Sequence, residues 1–336
     1  MRAVAYRQSL PITAADALVD VELDRPKAAG RDLLVEVKAV SVNPVDYKVR
    51  LRADPKGEPK VLGFDAAGVV AEVGREVTLF KPGDEVFYAG TIVRSGTNAE
   101  FHLVDERIVG RKPRKLGFAE AAALPLTSIT AWELLFDRLG AERGEGRDKR
   151  RVLIIGGAGG VGSIAIQLAR RLTGLTIVTT ASRPETNAWC RELGAHHVID
   201  HRQPFAPQMK AAGVAEADLI LGLTQTDQHL AQIVEVLAPQ GRFGLIDDPK
   251  TLDMGLFKRK SASVHWESMF TRSIFETPDM IEQHNLLDEV SRLVDQGVLR
   301  TTLGEKLGRI NAANLKRAHA MVESGKSRGK LVLDGF

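Results

Sequence analysis

The sequence has few of the features that mark secreted or membrane proteins. A single cysteine, Cys190, stands among 336 residues, so we expect no internal disulfide and no four-thiolate zinc cluster. No apolar run reaches the ~18 residues that span a bilayer, and the N-terminal segment lacks the ~7–15-residue apolar core of a secretory signal. We therefore expect a cytoplasmic protein with no membrane contact.

Charge of one sign is not in excess either. The 46 Lys and Arg residues are interspersed with 43 Asp and Glu, which gives a net charge of +3 and argues against a nucleic-acid partner. The densest charged run, 142–151, carries both signs and two glycines, so we interpret it as a solvated loop. At 44% apolar residues, a chain of this length has enough core for two domains.

Hydrophobic patterning separates a strand-rich first third from an alternating middle. Segments 33–41, 67–73 and 85–88 are short and β-prone, and the turn KPGD (81–84) precedes the last of them. From 151 to 246, short apolar strands alternate with longer helical patterns. That alternation predicts parallel strands buried on both faces, which is an α/β, doubly wound sheet.

A glycine-rich turn joins the first of these strands to a helix. Gly157, Gly159 and Gly162 form a GxGxxG pattern, completed by Gly160 and Val161, directly after the strand. Glycines let the backbone approach a pyrophosphate, and the helix N-terminus offers free N–H groups. In this strand-turn-helix context the motif predicts dinucleotide binding, and the alternative is only a tight turn.

The end of the following strand predicts which dinucleotide binds. An NAD site usually places Asp or Glu there to hold the ribose 2′-hydroxyl, but Ser182 and Arg183 stand here instead. A hydroxyl and a guanidinium would hold a 2′-phosphate, so we predict NADPH as the cofactor. The alternatives are that Ser182 caps the helix that begins near Pro184 and that Arg183 is solvated.

Six stretches of the chain carry a resemblance to a known family. The likeness spans nearly every residue and is to the medium-chain dehydrogenase/reductase superfamily, specifically its quinone oxidoreductase branch and the zinc-type alcohol dehydrogenase-like proteins. The stretches are VNPVDYKVR (42–50), LGFDAAGVV (62–70), FKPGDEVF (80–87), AAALPLTSITAWELL (121–135), GGAGGVGSIAIQLAR (156–170) and GKLVL (329–333).

The resemblance implies a domain plan. A GroES-like, β-rich catalytic domain would occupy 1–124, a Rossmann NADP-binding domain 125–265, and the return to the catalytic domain 266–336. Cofactor and substrate would lie in the cleft between the domains, and the chain would form a homodimer.

The resemblance also exposes a missing metal site. Zinc members of the superfamily hold a catalytic metal with a Cys and a His that align near Asn43 and Phe64, beside an acidic position matched by Asp65. An amide is a poor zinc ligand and a phenyl ring is none. We therefore predict no metal site.

Further site residues follow from the family alignment. Tyr47 would donate a hydrogen bond to the acceptor oxygen and Asn43 would orient the acceptor; the alternatives are a half-buried ring for Tyr47 and a turn residue for Asn43. Thr130 is alternatively a helix cap and Lys330 a surface charge. The expected cofactor contacts outside the glycine-rich turn are Thr130, Ser182, Arg183, His201, Gly244, Leu245, Ile246 and Lys330.

A site without a Lewis acid is poorly suited to oxidising an ordinary alcohol. Quinones and enones accept hydride readily, so the sequence predicts a zinc-independent, NADPH-dependent reductase of a small quinone or α,β-unsaturated carbonyl. Two alternatives remain: a zinc alcohol dehydrogenase with unconventional ligands, and a non-catalytic NADPH-binding protein.

Overall fold

The computed structural model describes residues 1–144 and 146–336. The chain forms two compact units, of which the first comprises Met1–Ile129 with Phe270–Phe336 and the second Thr130–Met269. The domain boundaries that the resemblance implied lie a few residues before these limits. The charged run 142–151 includes position 145, which lies outside the described residues.

The first unit is rich in strands, and the second alternates strands with helices. The strands are β1 (Arg2–Tyr6), β2 (Val19–Glu22), β3 (Asp32–Val42), β4 (Lys60–Val61), β5 (Ala66–Val73), β6 (Glu85–Tyr88), β7 (Phe101–Asp105), β8 (Val109–Arg111), β9 (Arg151–Ile155), β10 (Thr176–Thr180), β11 (His197–Ile199), β12 (Ala217–Gly222), β13 (Leu237–Leu245), β14 (Ser263–Trp266), β15 (Leu303–Lys306) and β16 (Lys330–Asp334). The α-helices are α1 (Pro44–Arg52), α2 (Phe118–Ala122), α3 (Pro125–Trp132), α4 (Gly160–Leu172), α5 (Pro184–Leu193), α6 (Phe205–Ala211), α7 (Thr226–Val236), α8 (Thr271–Ile274), α9 (Glu282–Asp295) and α10 (Ala312–Glu323). None of these helices is long and apolar enough to cross a membrane.

The first unit is built on β-sheets. A small sheet has the order β2-β1-β4, and a larger one the order β15-β16-β3-β5-β6-β8, with β7 also paired to β3. β3 is long and largely buried, because its Val- and Leu-rich sequence packs on both faces. β16 pairs antiparallel with β3, with Leu331 opposite Val42, so the last strand of the chain is fixed beside the start of α1.

The second unit is a six-stranded parallel sheet with the order β11-β10-β9-β12-β13-β14. This is the order of a doubly wound dinucleotide-binding fold, and it confirms the predicted fold class. The strands are apolar because helices cover both faces of the sheet. The core residues around β9, β12 and β13 include Leu153, Ile220 and Phe243.

One predicted helix differs from expectation. The periodicity of 128–139 predicts a single helix, but α3 ends at Trp132 and Glu133–Arg138 is a π-helical turn. Apolar spacing reports which face of a helix is buried and does not distinguish 3.6 from more residues per turn. The π-helical turn carries the buried Glu133.

Candidate functional site

The glycine-rich turn is packed too tightly for side chains at two positions. A Cβ on Gly157 would lie 1.9 Å from Oγ1 of Thr179, and a Cβ on Gly162 would lie 2.3 Å from the carbonyl oxygen of Gly156. Gly156 itself has a φ of +91°, a conformation that L-residues avoid. These three glycines are required by the packing of the turn on β9, β10 and α4.

Gly159 is not required in this way. It is the N-cap of α4 with a φ of −72°, and an added Cβ would meet only the Gly156 carbonyl oxygen, at 3.4 Å. The backbone here is half-exposed, as are Gly160 and Val161. A glycine that the turn does not need, at the N-terminus of a 13-residue helix, fits close approach by an anionic ligand.

The end of β10 gathers two guanidinium groups. Arg183, not Ser182, is the N-cap residue of α5, which corrects the alternative reading of Ser182 as the cap. Arg183 is paired with Glu185 at 3.0 Å. Arg202 donates to the Ser182 carbonyl oxygen at 2.9 Å and pairs with Asp200 at 2.6 Å.

Arg202 is a residue that sequence reasoning missed. It follows β11, and β11 lies beside β10 in parallel register, so the carboxyl ends of the two strands share one edge of the sheet. Only the strand order places Arg202 next to Ser182. The signal in the sequence was a basic residue three positions after the apolar residues Val198 and Ile199, which were not predicted as a strand.

His201 lies at the same edge of the sheet. Its ring centroid is 6.2 Å from that of the buried His229, in an edge-to-face arrangement. Burial lowers the pKa of both histidines, so both are neutral at pH 7. A neutral aromatic surface is suited to packing on a base rather than to proton transfer.

The remaining predicted cofactor contacts of the second unit lie on α3 and β13. Thr130 is buried in the last turn of α3, so the reading of Thr130 as a residue at a helix start is wrong. A Cβ on Gly244 would lie 2.5 Å from Cδ1 of Leu134, which gives Gly244 a packing role against the π-helical turn. Leu245 ends β13, and the Ile246 N–H donates to Gly222 at 3.2 Å.

The first unit holds a buried polar cluster around Asp65. Its carboxylate accepts from the Asn43 side-chain amide at 2.8 Å, from the Leu126 backbone N–H at 2.8 Å and from Lys330, whose Nζ lies 3.0 Å away. The Lys330 ammonium also donates to Oδ1 of Asn43 and to the Val42 carbonyl oxygen. Each of its three N–H groups thus has a protein acceptor, and this contact set leaves none for the cofactor phosphate expected from the family alignment.

A second carboxyl group lies within this cluster. Asp46 is 1% exposed, and its Oδ2 accepts from the Asn43 backbone N–H at 2.7 Å. The backbone N–H of Gly63 also interacts with this carboxyl group. Burial raises the pKa of Asp46 to about 7. Tyr47 is the next residue on α1 and is half-buried.

Family profiles match both ends of the chain. The profile described as alcohol dehydrogenase GroES-like domain matches residues 29–131, and the profile described as zinc-binding dehydrogenase matches residues 193–333. The first match confirms the GroES-like character of the β-rich unit.

Curated relatives align over almost the full length. The zinc-type alcohol dehydrogenase-like protein SAS2087 of Staphylococcus aureus (strain MSSA476) is 38% identical over 336 residues, which cover 99% of this chain and 100% of the relative. The mitochondrial NAD(P)H oxidoreductase RTN4IP1 of Homo sapiens is 31% identical and covers 90% of this chain and 81% of its own length.

Solved structures share the whole fold. A candidate zinc-dependent alcohol dehydrogenase from Rhizobium etli CFN 42 is 61% identical with a TM-score of 0.96, covering 100% of this chain and 98% of its own. The Escherichia coli quinone oxidoreductase complexed with NADPH is 23% identical with a TM-score of 0.84 and covers 99% and 100%, a likeness of fold.

A GroES-like unit combined with a Rossmann unit that carries a glycine-rich dinucleotide turn defines a class of pyridine-nucleotide oxidoreductases. The match over the full length to relatives above 30% identity identifies the group within that class. The chain belongs to the medium-chain dehydrogenase/reductase superfamily, in its quinone oxidoreductase branch.

The residues of the first unit do not fit the zinc ion that the profile's name implies. The side-chain amide of Asn43 is hydrogen-bonded to Asp65 and Lys330. Phe64 is a buried ring packed edge-to-face on Phe270, with the ring centroids 5.6 Å apart. Among the described residues, no group of three or more His, Cys, Asp or Glu side chains could hold a metal. The ammonium of Lys330 would also repel a divalent cation.

Proposed function

We propose that this chain is a zinc-independent, NADPH-dependent oxidoreductase that transfers hydride to a quinone or to an α,β-unsaturated carbonyl. The observation that carries the proposal is the contrast between the two units. The second unit keeps a complete dinucleotide turn, while the Asn43 and Phe64 positions of the first unit lack metal ligands and Asn43 lies beside the ammonium of Lys330.

The choice of NADPH is supported by the charges at the end of β10. Arg183 and Arg202 flank Ser182, and no carboxylate occupies the position just after β10 where an NAD site would place one. Both guanidinium groups are partly exposed, so exchange of their present carboxylate partners for a 2′-phosphate costs little desolvation.

A quinone or an α,β-unsaturated carbonyl is supported as the hydride acceptor because its reduction needs a hydrogen-bond donor and no metal ion. Bound NADPH supplies the hydride, which leaves the nicotinamide with its electron pair and adds to an electron-poor carbon of the acceptor. The developing oxyanion then needs a hydrogen-bond donor and finally a proton. In this proposal the phenolic hydroxyl of Tyr47 donates that hydrogen bond and then its proton to the oxyanion, and water returns a proton to the Tyr47 phenolate.

The test is loss of the reduced-nicotinamide absorbance with NADPH and with NADH, against quinones, 2-alkenals, saturated aldehydes and alcohols, with and without a chelator. The expected result is chelator-insensitive oxidation of NADPH by quinones or 2-alkenals. Turnover of alcohols alone, or its loss with chelator, would support the zinc alcohol dehydrogenase instead. Tight NADPH binding without turnover of any acceptor would support the non-catalytic reading.

The role of Tyr47 is tested by Tyr47→Phe. Loss of one hydrogen bond to a developing charge lowers kcat by roughly 10²- to 10³-fold, and the NADPH dissociation constant is unchanged because the ring remains. Tyr88→Phe is the matched control, since Tyr88 is buried with its hydroxyl 3.2 Å from Nδ1 of His102. Equal kcat values in Tyr47→Phe and the wild type would remove Tyr47 from the proposal.

We further propose that the chain works in the cytoplasm as a homodimer. The single cysteine supports the cytoplasm, and the resemblance to the family supports the homodimer. Sedimentation equilibrium of the purified chain measures the assembly directly, and a monomer at micromolar concentration would contradict it.

A further inference from the structure

The contacts of the buried lysine of the first unit differ from the cofactor contact expected from the sequence. Lys330 is the first residue of β16, and the antiparallel register that places Leu331 opposite Val42 brings it to Asn43. It is 3% exposed. A lysine is rarely buried to this degree unless it is paired, so the partners of its ammonium indicate what it does.

Asp65 compensates the charge of that ammonium and is itself fully buried. Besides Lys330, its carboxylate accepts from the Leu126 N–H in the first turn of α3 and from the Asn43 amide. Three donors and a helix N-terminus offset the cost of removing a carboxylate from water. The pair therefore fixes the position of the ammonium between β3, β16 and the start of α3.

The ammonium in turn determines which way the Asn43 amide points. Nδ2 of Asn43 faces the Asp65 carboxylate, which can only accept, and Oδ1 faces the Lys330 ammonium, which can only donate. Reversal of the amide would place Oδ1 against the carboxylate and Nδ2 against the ammonium. Both contacts would then be repulsive, so the side-chain orientation of Asn43 is unique.

Asn43 connects this charge pair to α1. It is the N-cap residue of α1, and its backbone N–H donates to Asp46 in the first turn, next to Tyr47. The charged groups that face this turn are Asp46, Asp65 and Lys330. The side chain of Asn43 also contacts the Asp46 backbone N–H in a capping box, so reversal of its amide alters a contact with the turn that carries Tyr47.

From these contacts we infer that Lys330 is a positioning residue. Its ammonium is a fixed cation supplied by the chain itself, held by Asp65, and it orients Asn43 and through Asn43 the first turn of α1. The effect on turnover rests on the proposed function of Tyr47. The effect on α1 does not, because it follows from the contacts alone.

The test separates positioning from mere stability by comparing Lys330→Met with the double variant Asp65→Asn/Lys330→Met. Lys330→Met leaves Asp65 as a buried unpaired carboxylate, so the unfolding midpoint falls by on the order of 10 °C. The double variant removes both charges and recovers most of that loss. In this variant the Leu126 N–H still requires the oxygen of the amide at 65 on its side, so the NH2 group of that amide faces Asn43 and opposes the native orientation of the Asn43 amide.

We expect kcat for the acceptor to fall by about 10-fold or more in both variants, with the dissociation constant for NADPH within about twofold of the wild type. Lys330→Arg keeps a cation and recovers part of kcat. Lys306→Met is the matched control, because Lys306 lies on the neighbouring strand β15 and is half-exposed; it leaves the midpoint and kcat unchanged.

Two results would overturn the inference. Recovery of kcat together with the midpoint in the double variant would make Lys330 purely structural. A weaker NADPH affinity with an unchanged kcat in Lys330→Met would make it a cofactor ligand.

Hydrogen exchange of the peptide that contains 43–52 supplies a readout that does not need turnover. If the wild type reduces no acceptor, the proposed function fails, and the inference is judged on this peptide. The amides of this peptide should exchange faster in Lys330→Met and in the double variant than in the wild type. In Lys306→Met their exchange rate should be unchanged. Unchanged exchange in Lys330→Met would overturn the inference.

Discussion

The glycine-rich turn of the second unit and the polar cluster of the first are assembled in opposite ways. The turn is one contiguous segment, 156–162, whose geometry follows from backbone packing of neighbouring residues. The cluster joins Asn43, Asp46, Asp65, Leu126 and Lys330, which lie on four separate parts of the chain. The conformation of the turn requires residues without a Cβ atom. The cluster requires a carboxylate and an ammonium that compensate each other's charge.

The two units also treat buried carboxyl groups differently. In the first unit Asp65 is paired with a lysine that is equally buried. In the second unit Glu267 interacts with the buried Glu133, and its ion pair at 2.8 Å is with the partly exposed Arg138. Burial and the charge of Glu133 raise the pKa of Glu267 to about 9. Asp65 thus lies against a buried cation, whereas Glu267 lies against a second buried carboxyl group and a partly exposed cation.

The largest effect is expected from Gly162→Ala in the turn. The methyl group would overlap the Gly156 carbonyl oxygen at 2.3 Å, so the start of α4 must move, at a cost of about 1–3 kcal/mol in unfolding free energy. We expect NADPH affinity to fall by about 100-fold, because the N–H groups proposed to hold the pyrophosphate are displaced. Urea titration and nicotinamide fluorescence measure the two effects.

Gly159→Ala is the matched variant, because its methyl group makes no overlap with the protein. Its unfolding free energy should stay within about 1 kcal/mol of the wild type, while NADPH affinity still falls. If NADPH affinity were also unchanged, the turn would not approach a ligand at Gly159.

The next largest effect concerns the pH dependence of the first unit. The folded pKa of Asp46, about 7, lies above its ordinary value of 3.8, so the folded state binds its proton more tightly than the unfolded state does. This contribution to stability is complete below pH 4 and is lost as the pH rises through 7. Asp46→Asn has no ionisable group at this position. Its unfolding free energy should therefore rise by on the order of 2–4 kcal/mol relative to that of the wild type as the pH increases from 4 to 8.

Unfolding free energies of Asp46→Asn and the wild type at pH 5 and pH 8 measure this difference. Asp84→Asn is the control, since Asp84 follows an exposed turn, is partly exposed and accepts from the Lys81 backbone N–H. A constant difference between Asp46→Asn and the wild type across this range would show that Asp46 is ionised throughout.

A smaller effect is expected at the end of β10. Arg183→Ala should lower kcat/KM for NADPH by about 10-fold, or ~1.4 kcal/mol, and leave kcat/KM for NADH unchanged. Arg202→Ala should act in the same direction but less strongly, because Arg202 also holds the Ser182 carbonyl oxygen. Arg191→Ala on the outer face of α5 is the control. Equal losses for NADH and NADPH would rule out a 2′-phosphate contact.

The smallest effect is expected at the carboxyl pair of the second unit. The raised pKa of Glu267 means that its stabilising proton is lost as the pH rises towards 9. Glu267→Gln should therefore flatten the decline in stability between pH 7 and 9 by about 1 kcal/mol, since Arg138 compensates part of the charge. Unfolding curves across this range measure it, and an unaltered decline would place the lost proton elsewhere.

Prediction from the sequence succeeded where the signal is local. The strands and helices around the glycine-rich turn follow from apolar periodicity. The cap of α5 was misplaced by one residue because Ser182 and Arg183 both precede Pro184. The contact between Arg202 and Ser182 was missed because it depends on which strands are neighbours.

The sequence by itself determined the fold class, the dinucleotide turn and the absence of the usual metal ligands at Asn43 and Phe64. Each of these is encoded by residue type or by spacing within a short segment. Only the tertiary structure decided that Lys330 is buried against Asp65 and orients Asn43. An ammonium on the last strand acquires its partners when β16 pairs with β3, and no local pattern specifies that pairing.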